Sequence, residues 1–309
     1  MLAPLSDTRP DGIVFLGTPA TAARCLALML ESGVRVDLVV TAEPKRRGRG
    51  SALMKTPVHE LAEAKGIPVL HDLNEMIPYV ESDGGVWLGV VVAYGRLIPR
   101  ETLARIPFVN LHFSLLPRWR GAAPVERAIL AGDEQVGVCV MRVTEALDEG
   151  DVYARASIPV GATDDVEGLR DRLCVIGTAE LVRLLATGWG TPEPQVGEPT
   201  YAKKITKEER RLSFGASADQ VARTVRIGGA YGEFAGQRIK VVSAHVMEPD
   251  RSIDRWPVGE VRVVGRTVAV VCGIGHLVLD RVQPAGKSVM SAHDWWNGIA
   301  STLGPARFD

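Results

Sequence analysis

Short apolar runs alternate with stretches of helical periodicity from residue 13 onward, and this alternation restricts the fold more than any other feature of the chain. Residues 13–16 are apolar throughout and too few for a helix. Gly17-Thr18-Pro19 follows, offering a turn, a hydroxyl suited to an N-cap and a proline suited to the first helical position. Ala22, Cys25, Leu26 and Met29 then recur at helical spacing, Gly33 can close that helix, and residues 36–41 read as the next strand. The pattern continues with a helix over 57–65 ended by Gly66, strands over 86–93 and 108–112, a helix over 124–131 and a strand over 136–143. Strands interleaved with helices predict an α/β fold with a parallel, doubly wound, Rossmann-like sheet, whose ligands bind beyond the carboxyl ends of the strands.

A helical pattern over 163–187, with Val166, Leu169, Leu173 and Leu181 on one face, ends at Gly188. Residues 188–199 are rich in Gly and Pro and read as a linker. Beyond them a helix over 217–226 precedes β-branched runs at 237–246, 258–272 and 277–282, the pattern of a small β-barrel. The expected domains are 1–189, a linker over 190–206, and 207–309. A chain of 309 residues, 46% hydrophobic, has enough apolar material for two cores. The formal charge of -1 hides an asymmetry: from Lys203 to Asp309 there are 16 basic and 11 acidic residues, against 20 and 26 before it. A basic C-terminal part suits a polyanionic partner. No apolar run approaches the roughly 20 residues of a membrane span, and the first residues lack a basic, then apolar, leader, so a cytoplasmic protein without a membrane partner is expected. The scattered Cys25, Cys139, Cys174 and Cys272 show no metal-ligand spacing and are expected to be buried free thiols, with no metal site.

Gly17 opens no GxGxxG, and no GxxxxGK[ST] occurs, which argues against dinucleotide and P-loop sites. Lys45, Arg46, Arg47 and Arg49, interrupted by Gly48 and followed by Gly50, form a basic loop that either lies solvated or closes over phosphates. Asn110 and His112, two residues apart on a strand, share one face at its end. An amide donor and an imidazole so placed can stabilise an oxyanion and move a proton. Asp148, in the polar turn after the strand 136–143, is the carboxylate best suited to orient such a histidine. Spacing alone leaves both a catalytic pair and a merely hydrogen-bonded histidine open.

The run Asn-Leu-His-Phe-Ser-Leu-Leu-Pro-Arg-Trp-Arg-Gly-Ala-Ala-Pro at 110–124 closely resembles the signature of the methionyl-tRNA formyltransferases. The resemblance extends, in order, through Phe-Leu-Gly-Thr-Pro at 15–19, Gly-Arg-Gly at 48–50, Ala-Tyr-Gly at 93–95, Leu-Asp-Glu-Gly-Asp at 147–151, Thr-Tyr-Ala-Lys-Lys at 200–204 and Gln-Pro-Ala-Gly-Lys at 283–287. It implies a formyltransferase-type Rossmann domain joined to an OB-like barrel. The activity implied is formyl transfer from 10-formyltetrahydrofolate to the α-amino group of methionyl initiator tRNA, by a monomer. Asn110, His112 and Asp148 fall on the family's catalytic positions. The folate would lie against Val92, Tyr94, Gly95, Leu97, Ile98, Ser114, Leu115, Leu116 and Pro117. The tRNA would meet Lys45, Arg46, Arg47, Arg49, Lys203, Lys204, Lys207 and Lys287. Arg120 either binds phosphate or holds the turn that follows it. Phe113 stands where many relatives have glycine, Thr21 where they often have an aromatic residue, and the stretch 227–234 is shorter than usual. An amino sugar nucleotide is the alternative acceptor, but the Arg-rich loop and the basic C-terminal part favour tRNA.

Overall fold

Gly12–Gly17 forms β1, buried along its whole length. In this computed structural model the described residues are 2–6, 8–46, 53–82, 84–247, 256–299 and 307–309. The chain divides into two units: Met1–Val125 with Gln135–Pro159 and Glu167–Lys203, and Glu126–Glu134 with Val160–Val166 and Lys204–Asp309. After β1 come α1 (Ala20–Glu31), β2 (Leu38–Val40), the short pair β3 (Lys45–Arg46) and β4 (Leu53–Met54), α2 (Pro57–Ala64), β5 (Val69–Leu70) and α3 (Leu73–Ser82). There follow β6 (Trp87–Val92), α4 (Arg100–Leu103), β7 (Phe108–His112), β8 (Arg120–Gly121), α5 (Pro124–Ala131), β9 (Gln135–Arg142), β10 (Val152–Pro159), α6 (Val166–Thr187) and β11 (Tyr201–Ala202).

The buried stripe of α1 is Ala22, Cys25, Leu26 and Met29, the positions its periodicity singles out. Its N-terminus differs from expectation. Pro19 is the N-cap, in extended conformation and with no side-chain cap, while the Thr18 hydroxyl donates to the Tyr94 carbonyl at 3.4 Å. Helix α2 is capped as its sequence suggests, Thr56 accepting from the backbone N–H of His59 and Pro57 standing in the first turn. Thr56 also shares a buried 2.8 Å hydrogen bond with Thr41, so the two ends of the basic loop are fastened together.

The main sheet has the order β10-β9-β7-β6-β1-β2-β5. Strands β5, β2, β1, β6 and β7 are parallel, as alternating strands and helices require. Strands β9 and β10 correct the all-parallel expectation. β9 pairs with β7 from Cys139, level with His112, to Arg142, level with Val109, so it runs antiparallel to β7; β10 pairs antiparallel with β9 in turn. Under the sheet lies a core that includes Val14, Leu16, Leu38, Met76, Leu103 and Phe108.

In the second unit α7 (Ala218–Arg226) starts with a full capping box between Ser217 and Gln220 and buries Ala218, Val221, Ala222 and Val225. Then come β12 (Tyr231–Phe234), β13 (Gln237–Val246), β14 (Val261–Val264), β15 (Thr267–Val271), β16 (His276–Pro284), β17 (Met290–Ser291) and α8 (Ala292–Asn297). These strands form an antiparallel sheet in the order β12-β13-β16-β15-β14, with β17 on β16. It is a half-barrel: Phe308 bridges to Phe234 of β12, and Arg307 to Glu260 just before β14. Phe214, Phe234, Leu277, Leu279, Trp295 and Phe308 are among the residues of its core. No helix among the described residues is long and apolar enough to cross a membrane.

Candidate active site

Asn110 and His112 stand on β7 between β6 and β9, Asn110 level with Val91 and Met141 and His112 level with Cys139. Asn110 is partly exposed; His112 is buried. The loop that follows folds back over the histidine. Ser114 donates its hydroxyl to the Arg118 carbonyl at 2.6 Å, and the Trp119 carbonyl lies 2.9 Å from Nε2 of His112. A carbonyl can only accept, so Nε2 carries the proton. That leaves Nδ1, which faces the Asp148 carboxylate at 3.6 Å. Trp119 itself sits at φ 62°, and Leu116-Pro117 is a cis peptide.

Asp148 reaches this point by an unexpected route. Val143, just after β9, donates its N–H to the Phe108 carbonyl at the start of β7, so the turn over 143–151 must fold back along β7 to meet His112. Asp148 adopts φ 52°, in the left-handed region that Asp tolerates better than most residues. Its carboxylate accepts from the backbone N–H of Gly121 at 2.8 Å. Gly150 permits the return, because a Cβ there would lie 1.9 Å from the Arg142 carbonyl oxygen.

The Arg120 guanidinium is engaged with Glu149 and Gln195 rather than with the turn that follows it. Arg120 is 9% exposed, pairs with Glu149 at 2.8 Å, and donates Nε and Nη2 to the Gln195 carboxamide oxygen at 3.1 and 2.7 Å. The Gly- and Pro-rich stretch is likewise tied down: Glu193 exchanges backbone hydrogen bonds with Val152, and Thr200 binds the N–H groups of Trp119 and Arg120. Gln195 carries no sequence signal beyond membership of that stretch, whereas Thr200 opens the Thr-Tyr-Ala-Lys-Lys run.

Loops after two neighbouring parallel strands supply the remaining positions near this site. Val92, which ends β6, and Tyr94 after it are buried, Ile98 is 9% exposed, Gly95 takes φ 77°, and Leu97 is 76% exposed. Burial raises the pKa of the Tyr94 phenol. After β7, Ser114 and Leu116 are buried, and Leu115 and Pro117 are partly exposed. Leu116 packs with Cys139, Met141 and Val152. Burial also raises the Cys139 thiol, level with His112 on the next strand, which keeps it protonated and poorly nucleophilic. Lys45 and Arg46 are exposed on β3, while Arg47 and Arg49 lie outside the described residues. Lys203, Lys204 and Lys207 are exposed after β11, and Lys287 is exposed in the turn after β16. Among the described residues no group of three or more His, Cys, Asp or Glu could hold a metal.

Residues 12–185 match the family model described as formyl transferase, and residues 204–300 match the one described as formyl transferase, C-terminal domain. The chain belongs to the formyl transferase family. It is 37% identical over 297 residues to a protein of Gluconobacter oxydans named methionyl-tRNA formyltransferase, covering 93% of this chain and 96% of that one. The protein of the same name from Corynebacterium diphtheriae is 38% identical over 311 residues, with 94% and 98% covered. The formyl transferase fold also appears in the crystal structure of HypX from Aquifex aeolicus in complex with tetrahydrofolic acid, with a TM-score of 0.62 and 18% identity over 96% of this chain. This chain spans about half of HypX, 48% of its length.

Proposed function

We propose that this chain transfers the formyl group of 10-formyltetrahydrofolate to the α-amino group of methionyl initiator tRNA, acting as a cytoplasmic monomer. One observation carries the chemistry: β7 places Asn110 beside a histidine whose Nε2 is occupied by the Trp119 carbonyl and whose Nδ1 faces Asp148. Relatives of that name, similar along nearly their whole length, support the choice of acceptor.

In this reading the unprotonated amine attacks the formyl carbon, forming the new C–N bond as the carbonyl electron pair moves onto oxygen. The Asn110 amide and a protonated His112 Nδ1 donate to that oxyanion. As the oxyanion collapses, the bond to the folate nitrogen breaks. The imidazolium gives its Nδ1 proton to that nitrogen and is reprotonated by the amine, with the Asp148 carboxylate balancing its charge. Holding both substrates against β7 supplies the alignment.

The folate is assigned to the 93–98 and 114–117 loops that follow β6 and β7, where Leu97 exposes apolar surface at 76%; Leu147 of the returning turn does so at 53%. Its contacts are assigned to Val92, Tyr94, Gly95, Leu97, Ile98 and Ser114 through Pro117. Residues 1–189 are read as the catalytic domain, 190–206 as the connection, and the half-barrel of 207–309 as an OB-like tRNA-binding domain. Lys45, Arg46, Arg47 and Arg49 would meet the acceptor arm, and Lys203, Lys204, Lys207 and Lys287 the backbone phosphates. The test is His112→Ala: kcat is expected to fall by about 10²- to 10⁴-fold with tRNA affinity nearly unchanged. Near-normal formylation by that variant would overturn the mechanism. Arg49→Ala should weaken use of tRNA while leaving folate binding intact.

A further inference from the structure

Both polar atoms of the Gln195 carboxamide are committed, Nε2 to the turn that carries Asp148 and Oε1 to Arg120. Its Nε2 donates to two backbone carbonyls of that turn, those of Asp148 and Gly150, each at 2.8 Å. Its Oε1 accepts both Nε and Nη2 of Arg120. Turning the amide over would set oxygen against two carbonyls and NH₂ against a guanidinium, so its orientation is dictated by its neighbours. Arg120 in turn holds Glu149, and the adjacent Gly121 N–H holds the Asp148 carboxylate. Residues 148, 149 and 150 are thus each fastened, directly or through Arg120, to one side chain from the stretch after α6. That stretch is itself anchored two residues earlier, where Glu193 pairs with Val152.

We propose that Gln195 is a positioning residue for formyl transfer: its carboxamide holds the 148–150 turn in the left-handed conformation that keeps the Asp148 carboxylate at His112. The proposal rests on the functional reading above, in which Asp148 supports His112. Asp148 at φ 52° persists only where its surroundings over-determine it, and Gln195 binds the carbonyl of that very residue. Without the two amide donors the turn is free to relax, and a displacement of about 1 Å at a reacting group costs on the order of 10²-fold in rate.

The experiment compares Gln195→Ala and Gln195→Glu, alone and combined with Asp148→Asn, in steady-state formyl transfer to methionyl initiator tRNA. Gln195→Glu is the informative variant. It keeps an oxygen for Arg120, which favours folding, but replaces the amide donor with a group that repels both carbonyls. Both variants are expected to lose kcat by about 10- to 100-fold with KM for both substrates within about twofold and the thermal midpoint of Gln195→Glu little changed. In the Asp148→Asn background either change should cost less than about twofold more, because the two residues act as one unit. Unchanged kcat in Gln195→Glu, or losses that multiply in the double variant, would overturn the proposal. Undiminished kcat in Asp148→Asn would also overturn it while leaving the formyl-transfer activity standing. An unaltered chain that transfers no formyl group would remove that activity and the proposal with it.

Discussion

Replacing Gly150 with alanine tests whether the return of the 143–151 turn along β7 is what assembles the site. The added Cβ would lie 1.9 Å from the Arg142 carbonyl oxygen, and contacts under 3.0 Å are not sustained, so one backbone must move by at least 1.1 Å. Arg142 ends β9, which is paired on both sides by β7 and β10, whereas Gly150 lies in a turn. The turn is therefore what yields. Asp148 is two residues away, at 3.6 Å from His112, and a shift of about 1 Å there corresponds to roughly a 10²-fold loss of kcat. Overpacking adds a stability cost of about 1–3 kcal/mol, or roughly 2–10 °C in Tm for a domain of this size. Steady-state formyl transfer and thermal unfolding measure the two effects, with Gly215→Ala as the control, since its nearest neighbour would be 4.0 Å away. A Gly150→Ala chain with unaltered kcat and midpoint would refute the geometry of the turn.

Other expectations follow from single groups. Burial, with help from Lys55 and His71, lowers the pKa of His59 below its ordinary 6.5. As pH falls through about 6.5 the unfolded chain therefore takes up a proton that the folded chain resists, and stability is lost; urea midpoints between about pH 5.5 and 7.5 should slope less in His59→Gln, and an equal slope would exclude His59 as the cause. Burial pushes the Cys272 thiol up to about 12 and also raises Cys139, while Cys25 is raised chiefly by its neighbour Cys174 and by burial. All four thiols should stay unlabelled by a thiol reagent near pH 8 until the chain is denatured, so prompt labelling of the folded chain would contradict their burial. Thr41→Val removes one partner of the buried Thr41–Thr56 bond and should cost about 1 kcal/mol in urea unfolding. Adding Thr56→Val also removes the N-cap of α2, for about 1 kcal/mol more; no change in either variant would show that the loop ends are not fastened there.

Much of this was legible from residue pattern. The period of α1 names its buried face, and residues 108–112 read as the strand that Phe108–His112 forms. Local sequence sets such elements, because an apolar stripe has one face to bury. Direction within the sheet was not legible: β9 is as apolar as a parallel strand, and its reversal depends on where the chain enters the sheet rather than on its composition. Nor did Thr18 cap α1, since the Tyr94 carbonyl, from the loop after the neighbouring strand, competes for its hydroxyl. At the site, Asn110, His112 and Asp148 could be named from their types and motif, but the meeting of Asp148 with His112 depends on Gly150 and on a turn folding backward. Gln195 lay hidden for a simple reason. A polar residue in a Gly- and Pro-rich stretch resembles any solvated linker residue until its partners, 45 to 75 positions away, are seen.

The most direct measurement is formyl transfer from 10-formyltetrahydrofolate to charged methionyl initiator tRNA, with uncharged tRNA and an amino sugar nucleotide as parallel acceptors. Transfer to the charged tRNA alone is the expected result. Transfer to the sugar nucleotide alone would keep the chemistry assigned to Asn110, His112 and Asp148 but contradict the acceptor, and with it the roles given to the basic loop and the C-terminal half-barrel.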